Sequence, residues 1–482
     1  MNETGVVIEK GPQDWQILQR DSRDRAKLSL AGRWLTETEH RTATVMVRLV
    51  KEDRCEAVSL GLDWRPAETT ADGRWSMELV GIPAGGLYRL ETGLRLDGAL
   101  LEWIQRGDMV HHLGVGDVWI IAGQSNAAGY GKSPILDGPE LGLHFFHACG
   151  QWRLATHPLG DSTGSKYTPN RETANPSHSP FLQFSKILKR ELALPIGLIP
   201  AALGGSPMSR WVRSAKGDLY ENMLAYFRDS GAGGCRGILW YQGESDVAEG
   251  SRELYETRFA EFVQACRRDL AAPGPGPGPG PSCPGNSEPG NPDLAVITVQ
   301  LNRFVGIPYS DPAHDAWDKM RELQRRIPAR IPGVAVISTI DLGLSDLIHN
   351  NSTANLVIGE RMAAAALGMV YGKDVKYLHP DLKEVRREGD SRLVLNFANV
   401  DTRLNYEAVD LSVFPFTVRD ADGPVPIRQF VFGDRSLTID LARPAKGPVT
   451  LIGAPSAHPP MVVPFDISGY LPMLAFRVEI PG

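Results

Sequence analysis

Val118-Trp119-Ile120-Ile121-Ala122 is a short β-rich apolar run, and it leads directly into Gly123-Gln124-Ser125-Asn126. An open parallel sheet gathers ligands outside the carboxyl ends of its strands, so a serine just beyond such a run stands where chemistry is done. Four further runs share this character: Ile196 to Ile199, Ile238 to Tyr241, Ala295 to Val299 and Val334 to Ile340. Helical stretches separate them. Ser179-Pro180 reads as an N-cap and first helical residue ahead of Phe181, Phe184, Ile187 and Leu188 on one face. Tyr255, Phe259, Phe262 and Cys266 form a second stripe, and Ile358, Met362, Ala365 and Met369 a third. This alternation over residues 113–372 predicts an α/β unit whose parallel sheet is covered on both faces.

The flanks follow a different period. In residues 1–112, Ala43, Val45, Val47 and Leu49 alternate with Thr44, Met46 and Arg48, and Trp75, Met77 and Leu79 repeat the pattern. Short alternating runs broken by turns such as Pro83-Ala84-Gly85-Gly86 predict an N-terminal β-sandwich, immunoglobulin-like in plan. After residue 373 the alternation returns in Leu393, Leu395 and Phe397, and again in Leu437, Ile439 and Leu441 beyond Gly433-Asp434. A C-terminal β domain over 373–482 is expected. Residues 272–292 form a Pro/Gly tract of period two, which excludes collagen and reads as a surface insertion between a helix and the Ala295 strand.

With 482 residues the chain is too long for a single core. Its net charge of −6 and pI near 6.0 give no electrostatic reason to expect nucleic acid or an anionic membrane as partner. No stretch approaches the roughly 20 apolar residues of a membrane span, and the first residues lack the basic and apolar regions of a signal peptide. The five cysteines, Cys55, Cys149, Cys235, Cys266 and Cys283, are scattered and unpaired in spacing, which fits reduced thiols in a cytoplasmic protein.

The motifs fall beyond the strand ends. Ser125 follows the first run, Gly204-Gly205 the Ile196 run, Gln242 to Asp246 the Ile238 run, and Asp346-Leu347-Ile348-His349 the Val334 run. Each has an ordinary reading: a helix N-cap, a tight turn, a polar strand end, a loop histidine. Together, on one edge and in this order, they supply a nucleophile, backbone donors, an orienting acid and a base. Ala127 stands where the second glycine of Gly-x-Ser-x-Gly belongs, so the α/β-hydrolase elbow does not fit. His111-His112 and His314 show no grouping with carboxylates that suggests a metal, and no cofactor is expected.

With these motifs in place, residues 116–372 resemble the SGNH-hydrolase superfamily, in its sialate O-acetylesterase and acetylxylan-esterase-like branch. That branch shows Gly-Gln-Ser-Asn, a Gly-Gly pair, Trp-x-Gln-Gly-Glu and Asp-x-x-His, all present here in order. Trp317, Arg321, Glu322 and Gln324 resemble its Trp-x-x-x-Arg-Glu-x-Gln helix, and Trp15 to Arg20 its preceding β-sandwich. One departure follows the histidine, where a proline is common and Asn350-Asn351-Ser352 stands instead; Asn351 or Ser352 is positioned to cap the Ile358 helix. The resemblance implies a flavodoxin-like three-layer α/β/α hydrolase domain with β segments on both sides.

It further implies Ser125 as nucleophile, His349 as base and then acid, and Asp346 orienting His349. The backbone N–H groups of Ser125 and Gly205 would line an oxyanion hole, with the Gln242 amide as third donor, worth about 3 to 4 kcal/mol in the transition state. Gly204 completes that turn. Glu244 is read as support for the Gln242 loop ahead of a catalytic role. The loop from Lys132 to Pro180, with Ser206, Arg210 and Trp211, is expected to shape the pocket: Trp211 by stacking on a sugar or packing in the core, Arg210 by pairing with a sialic-acid carboxylate or lying at the surface. The expected activity is removal of O-acetyl groups from carbohydrate, sialate foremost and acetylated xylan as the alternative. A non-catalytic glycan-binding protein and a lipase or thioesterase are the competing classes.

Overall fold

The Val118 run is the last part of one long strand. In the computed structural model, which describes residues 4–37, 42–172, 176–248, 250–270, 291–308, 312–407 and 413–482, β1 spans Gln105–Gly123. Around it stand β2 (Leu143–His147), β3 (Gln151–Leu154), β4 (Ile196–Pro200), β5 (Gly237–Tyr241), β6 (Ala295–Val299) and β7 (Val334–Ile337). Their order is β3-β2-β4-β1-β5-β6-β7, parallel throughout except for β3 against β2. Val118 to Ala122 are buried on both faces, as the central strand of such a sheet must be.

Among the described residues six α-helices flank the sheet: α1 (Ser125–Ala128), α2 (Phe181–Leu192), α3 (Asp218–Ser230), α4 (Ser251–Asp269), α5 (Ala313–Arg330) and α6 (Ser352–Met369). α2 packs on α6, while α4 packs on α5 and meets α3 through Tyr220 and Phe262. This is the expected three-layer α/β/α arrangement. The apolar stripes of α2, α4 and α6 face the core, and Asn351 caps α6 by accepting from Ala354 N–H at 2.8 Å.

Four local expectations change. β2 and β3 lie inside the segment read as a loop, because His144, His147 and the Cys149-Gly150 turn interrupt their apolar runs. The Val334 strand ends at Ile337, where the Ser338 and Thr339 hydroxyls bond instead to the carbonyls of Met473 and Gln300. Ser179 does not cap α2, since its buried Oγ has no partner among the described residues. The 112/113 boundary falls within β1, whose first part pairs with Gly85–Leu96 and whose last part enters the parallel sheet.

The N-terminal strands form two layers around a shared core of Val6, Leu30, Val47, Trp75, Leu79 and Leu90. The C-terminal strands include two four-stranded sheets around Leu395, Phe416, Leu437, Leu451 and Phe476. The Pro/Gly tract lies outside the described residues up to 290, and Cys283 with it. Of the remaining cysteines, Cys235 and Cys266 are buried, Cys149 is half-buried and Cys55 is exposed. Among the described residues no helix is long and apolar enough to cross a membrane.

Asp117 ties the amino-terminal side of the sheet together. Its buried carboxylate accepts from Arg20 at 2.8 Å, Arg236 at 2.9 Å, Gln19 at 2.8 Å and Tyr371 at 2.9 Å. Burial opposes its charge, but the two guanidinium groups outweigh burial and hold the carboxyl below its usual value of 3.8. A depressed folded-state pKa contributes stability above the unfolded value and loses it as pH falls through the folded one. Asp117→Asn is therefore expected to cost about 3–5 kcal/mol in urea unfolding at neutral pH. That difference should hold on acidification to about pH 5 and narrow only below the ordinary carboxylate range.

Candidate active site

Ser125 opens α1 directly after β1, on a turn that only glycine permits. Gly123 has φ of +127°, and a Cβ there would lie 2.1 Å from Tyr241 O on the neighbouring strand. That close approach of β1 and β5 directs Ser125 to the carboxyl edge of the sheet. Ser125 Oγ lies 2.9 Å from His349 Nε2, and His349 Nδ1 lies 2.8 Å from Asp346 Oδ2. The other Asp346 oxygen accepts the backbone N–H of Ile348 at 3.0 Å and of His349 at 2.8 Å. Burial raises the Asp346 pKa, but these N–H groups and the imidazole outweigh it and hold the carboxyl below its usual range. One four-residue stretch, Asp346 to His349, thus fixes both the ring and its partner.

The Gly204-Gly205 turn stands beyond β4, with Gly205 in the left-handed region at φ of +62°. Leu203 N–H bonds Gly123 O at 3.1 Å and Gly204 N–H bonds Glu172 at 3.1 Å. The N–H groups of Ser125 and Gly205 have no acceptor among the described residues. They are two unspent donors beside the Ser125 hydroxyl and on the adjoining turn.

Gln242 is placed differently from its expected role, while Trp211 takes its core reading and Arg210 a reading away from substrate. Gln242 is fully buried and its amide is already engaged, with Nε2 2.5 Å from Asp246 Oδ2, 3.2 Å from Ser206 O and 3.3 Å from Gln124 Oε1. It braces the loop and is not a free third donor. Trp211 is fully buried against Trp240 and Phe262, its indole N–H donating to Ser206 Oγ at 3.1 Å, so it cannot stack on a sugar. Arg210 pairs with Asp218 at 2.7 Å and bonds Pro169 O, so its Nε and Nη2 are already engaged.

Glu244 Oε1 accepts from Asn126 Nδ2 at 2.8 Å, which ties the loop beyond β5 to the residue after Ser125. The buried Glu244 Oε2 has no partner among the described residues, and burial raises the carboxyl pKa against the opposing effects of Asn126 and His349. Two residues outside the site expected from the sequence also matter. Asn350 gives its backbone N–H and its side-chain amide to Asn126 Oδ1, at 3.1 and 3.2 Å. Tyr130 lies on the His349 imidazole, ring centroids 4.8 Å apart at 28°. The departure from proline at position 350 was the one hint: proline there would remove an N–H that the site uses.

Of the histidines set aside as structural, His111 and His112 do meet a carboxylate. They hold the two oxygens of Glu52 at 3.1 and 2.8 Å. Asp137, His157 and His178 bring three ligand-type atoms within 4.8 Å. Lys186 Nζ occupies Asp137 Oδ1 at 2.5 Å, and the two imidazole Nε2 atoms face Oδ2 at 2.9 and 3.1 Å. Ser179 N–H points at His157 Nδ1 from 3.4 Å, which leaves the proton of a neutral ring on Nε2. This donor set suits a hydrogen-bonded knot that fastens the 132–180 segment better than it suits a cation.

Residues 115–274 match the family profile described as carbohydrate esterase, sialic acid-specific acetylesterase. A probable carbohydrate esterase of Arabidopsis thaliana is 34% identical over 273 residues, which are 52% of this chain and 90% of that protein. The chain belongs to this carbohydrate esterase family. A carbohydrate acetylesterase from Xanthomonas citri shares the fold at a TM-score of 0.65 and 22% identity, over 98% of this chain and 99% of the other. The esterase therefore carries its family's core between β segments that the X. citri structure also spans.

Because Gln242 is a brace, Gln242→Ala should destabilise the esterase by about 1–3 kcal/mol in urea unfolding, the cost of stranding a buried partner. A free donor facing the cleft would leave the unfolding midpoint unchanged.

Proposed function

We propose that the esterase removes O-acetyl groups from carbohydrates through an acetyl-enzyme on Ser125. The observation that carries this reading is the continuous contact from Ser125 Oγ through His349 to Asp346, at 2.9 and 2.8 Å. Ser125 Oγ attacks the acetyl carbonyl while His349 Nε2 takes its proton, and Asp346 holds the imidazolium that forms. The unspent N–H groups of Ser125 and Gly205 would receive the oxyanion. Collapse breaks the ester bond, and His349 returns the proton to the departing sugar oxygen. Water then attacks the acetyl-enzyme, giving its proton to His349, and acetate leaves as Ser125 is reprotonated.

Sialate is the finer reading, since the family description names it, and acetylated xylo-oligosaccharide is its alternative. With Arg210 engaged, we take Arg303 as a candidate partner for a sialate carboxylate, because it adjoins the segment bonded to the His349 loop. It immediately precedes the Phe304-Val305 lip, which meets the His349 loop through Val305 N–H and Leu347 O. Its side chain donates to Leu342 O at 3.2 Å, and its Nε has no partner among the described residues.

The test is acetate release from 9-O-acetylated sialic acid and from acetylated xylo-oligosaccharides, with Ser125→Ala alongside. Loss of release on the order of 10⁶-fold in that variant is expected for a nucleophile. Retained release in Ser125→Ala would overturn the acetyl-enzyme. Covalent labelling of Ser125 by an organophosphonate distinguishes the esterase from an inert glycan-binding protein. If sialate is the substrate, Arg303→Ala should raise KM for it and leave KM for acetylated xylo-oligosaccharide unchanged.

A further inference from the structure

Glu172 lies between β3 and α2 and belongs to none of the family motifs. Its Oε1 accepts the Tyr130 hydroxyl at 2.5 Å, and its Oε2 accepts the Gly204 N–H at 3.1 Å. The approach to the turn is so close that a Cβ on Gly204 would stand 2.3 Å from Oε1. One carboxylate therefore touches two different parts of the site. On one side it reaches Tyr130, whose ring lies on His349. On the other it reaches the peptide just before Gly205, whose N–H is unspent.

We propose that Glu172 is a positioning residue that couples the base to the oxyanion turn. The inference rests on the roles given above to Ser125, His349 and Gly205. Two consecutive glycines have wide conformational freedom, and a carboxylate on the Gly204 N–H removes much of it. The Gly205 donor is then already aimed before charge develops, which is what makes such a donor effective. At the other end Glu172 holds the Tyr130 phenol as a donor. Burial and the Glu172 carboxylate both push that phenol well above its usual pKa, so it remains protonated. The Tyr130 ring is kept against the imidazole, where its π-face attracts the imidazolium formed when Ser125 is deprotonated. Asn170, two residues before Glu172, pins the same segment by donating to Ala202 O at 2.8 Å.

The experiment is steady-state hydrolysis of p-nitrophenyl acetate by wild type, Ser125→Ala, Glu172→Gln, Glu172→Ala, Tyr130→Phe and Glu172→Gln/Tyr130→Phe. Rates are normalised to the fraction of folded protein that reacts with an organophosphonate. Glu172→Ala is expected to lower kcat by about 10²-fold with KM within about twofold, the signature of misplaced machinery rather than lost substrate contact. Glu172→Gln, which keeps one acceptor, should recover part of that loss. The double variant should fall no more than about twofold below Glu172→Gln, because both changes break one chain of contacts. If Glu172→Ala does not fold, Glu172→Gln and the double variant still decide. A raised KM at unchanged kcat, an unchanged kcat, or additive effects of Glu172→Gln and Tyr130→Phe would each overturn the proposal. Activity surviving in Ser125→Ala would instead overturn the reading beneath it.

Discussion

The buried carboxamide of Asn126 is the contact on which the site geometry depends. Its oxygen accepts two N–H groups of Asn350, and its nitrogen donates to Glu244 and approaches Ile348 O at 3.4 Å. Asn126 follows Ser125, and Asn350 follows His349. The nucleophile and the imidazole belong to loops more than 220 residues apart in sequence, yet the residue after each is bonded to the other. Buried amides are costly when unpaired and specific when satisfied. Asn350 Oδ1 accepts from Asn302 at 2.7 Å and its Nδ2 donates to Tyr241 at 2.9 Å. The loops beyond β1, β5, β6 and β7 are thus held in one network.

A second brace comes from α5. Arg321 is fully buried and donates to the carbonyls of Leu301, Asn302, Ser456 and Ala457. Burial pulls its pKa down to about 10, still well above neutrality, so the guanidinium stays charged. Gln324, one turn on, accepts from Leu301 N–H at 2.9 Å and donates to Gln242 O at 3.1 Å. The C-terminal β segment is therefore bonded to the same helix that sets the β5 and β6 loops. Gln300 makes the connection twice over, donating to Ala475 O and accepting Ala475 N–H, both at 2.8 Å. This segment bears on the site through backbone carbonyls, which no side-chain motif announces.

That distinction marks what was legible in the sequence. Strand runs bounded by glycine and polar turns gave the parallel sheet, and motifs placed after them gave Ser125, Asp346 and His349, because each lies in the loop that immediately follows its strand. Gln242, Arg210 and Trp211 also follow strands, but their roles depend on partners distant in sequence or hidden in packing: Asp246 and Ser206 for Gln242, Asp218 for Arg210, Trp240 and Phe262 for Trp211. A motif fixes position along the chain and not the direction in which a side chain points. β2 escaped notice because a five-residue strand with a histidine at its second and fifth positions has no clear period. Asn350 and Glu172 escaped because their bonds reach residues more than 30 positions away, where spacing carries no signal.

Two carboxyl groups stand close to His349, and their surroundings drive them apart. Asp346 lies in the short loop that carries the imidazole, and two backbone N–H groups turned toward it favour its anion. Glu244 is enclosed beneath Asn126, with one oxygen satisfied by a neutral amide and the other by nothing among the described residues. Burial favours its neutral form. Where neighbouring titratable groups are pushed in opposite directions, their roles separate. An anion at Asp346 stabilises positive charge on the imidazole along the Nδ1 direction, leaving Nε2 aligned with Ser125. Of the two, Asp346 is the carboxyl whose surroundings favour the anion, and it lies on the Nδ1 side of the imidazole, away from the nucleophile.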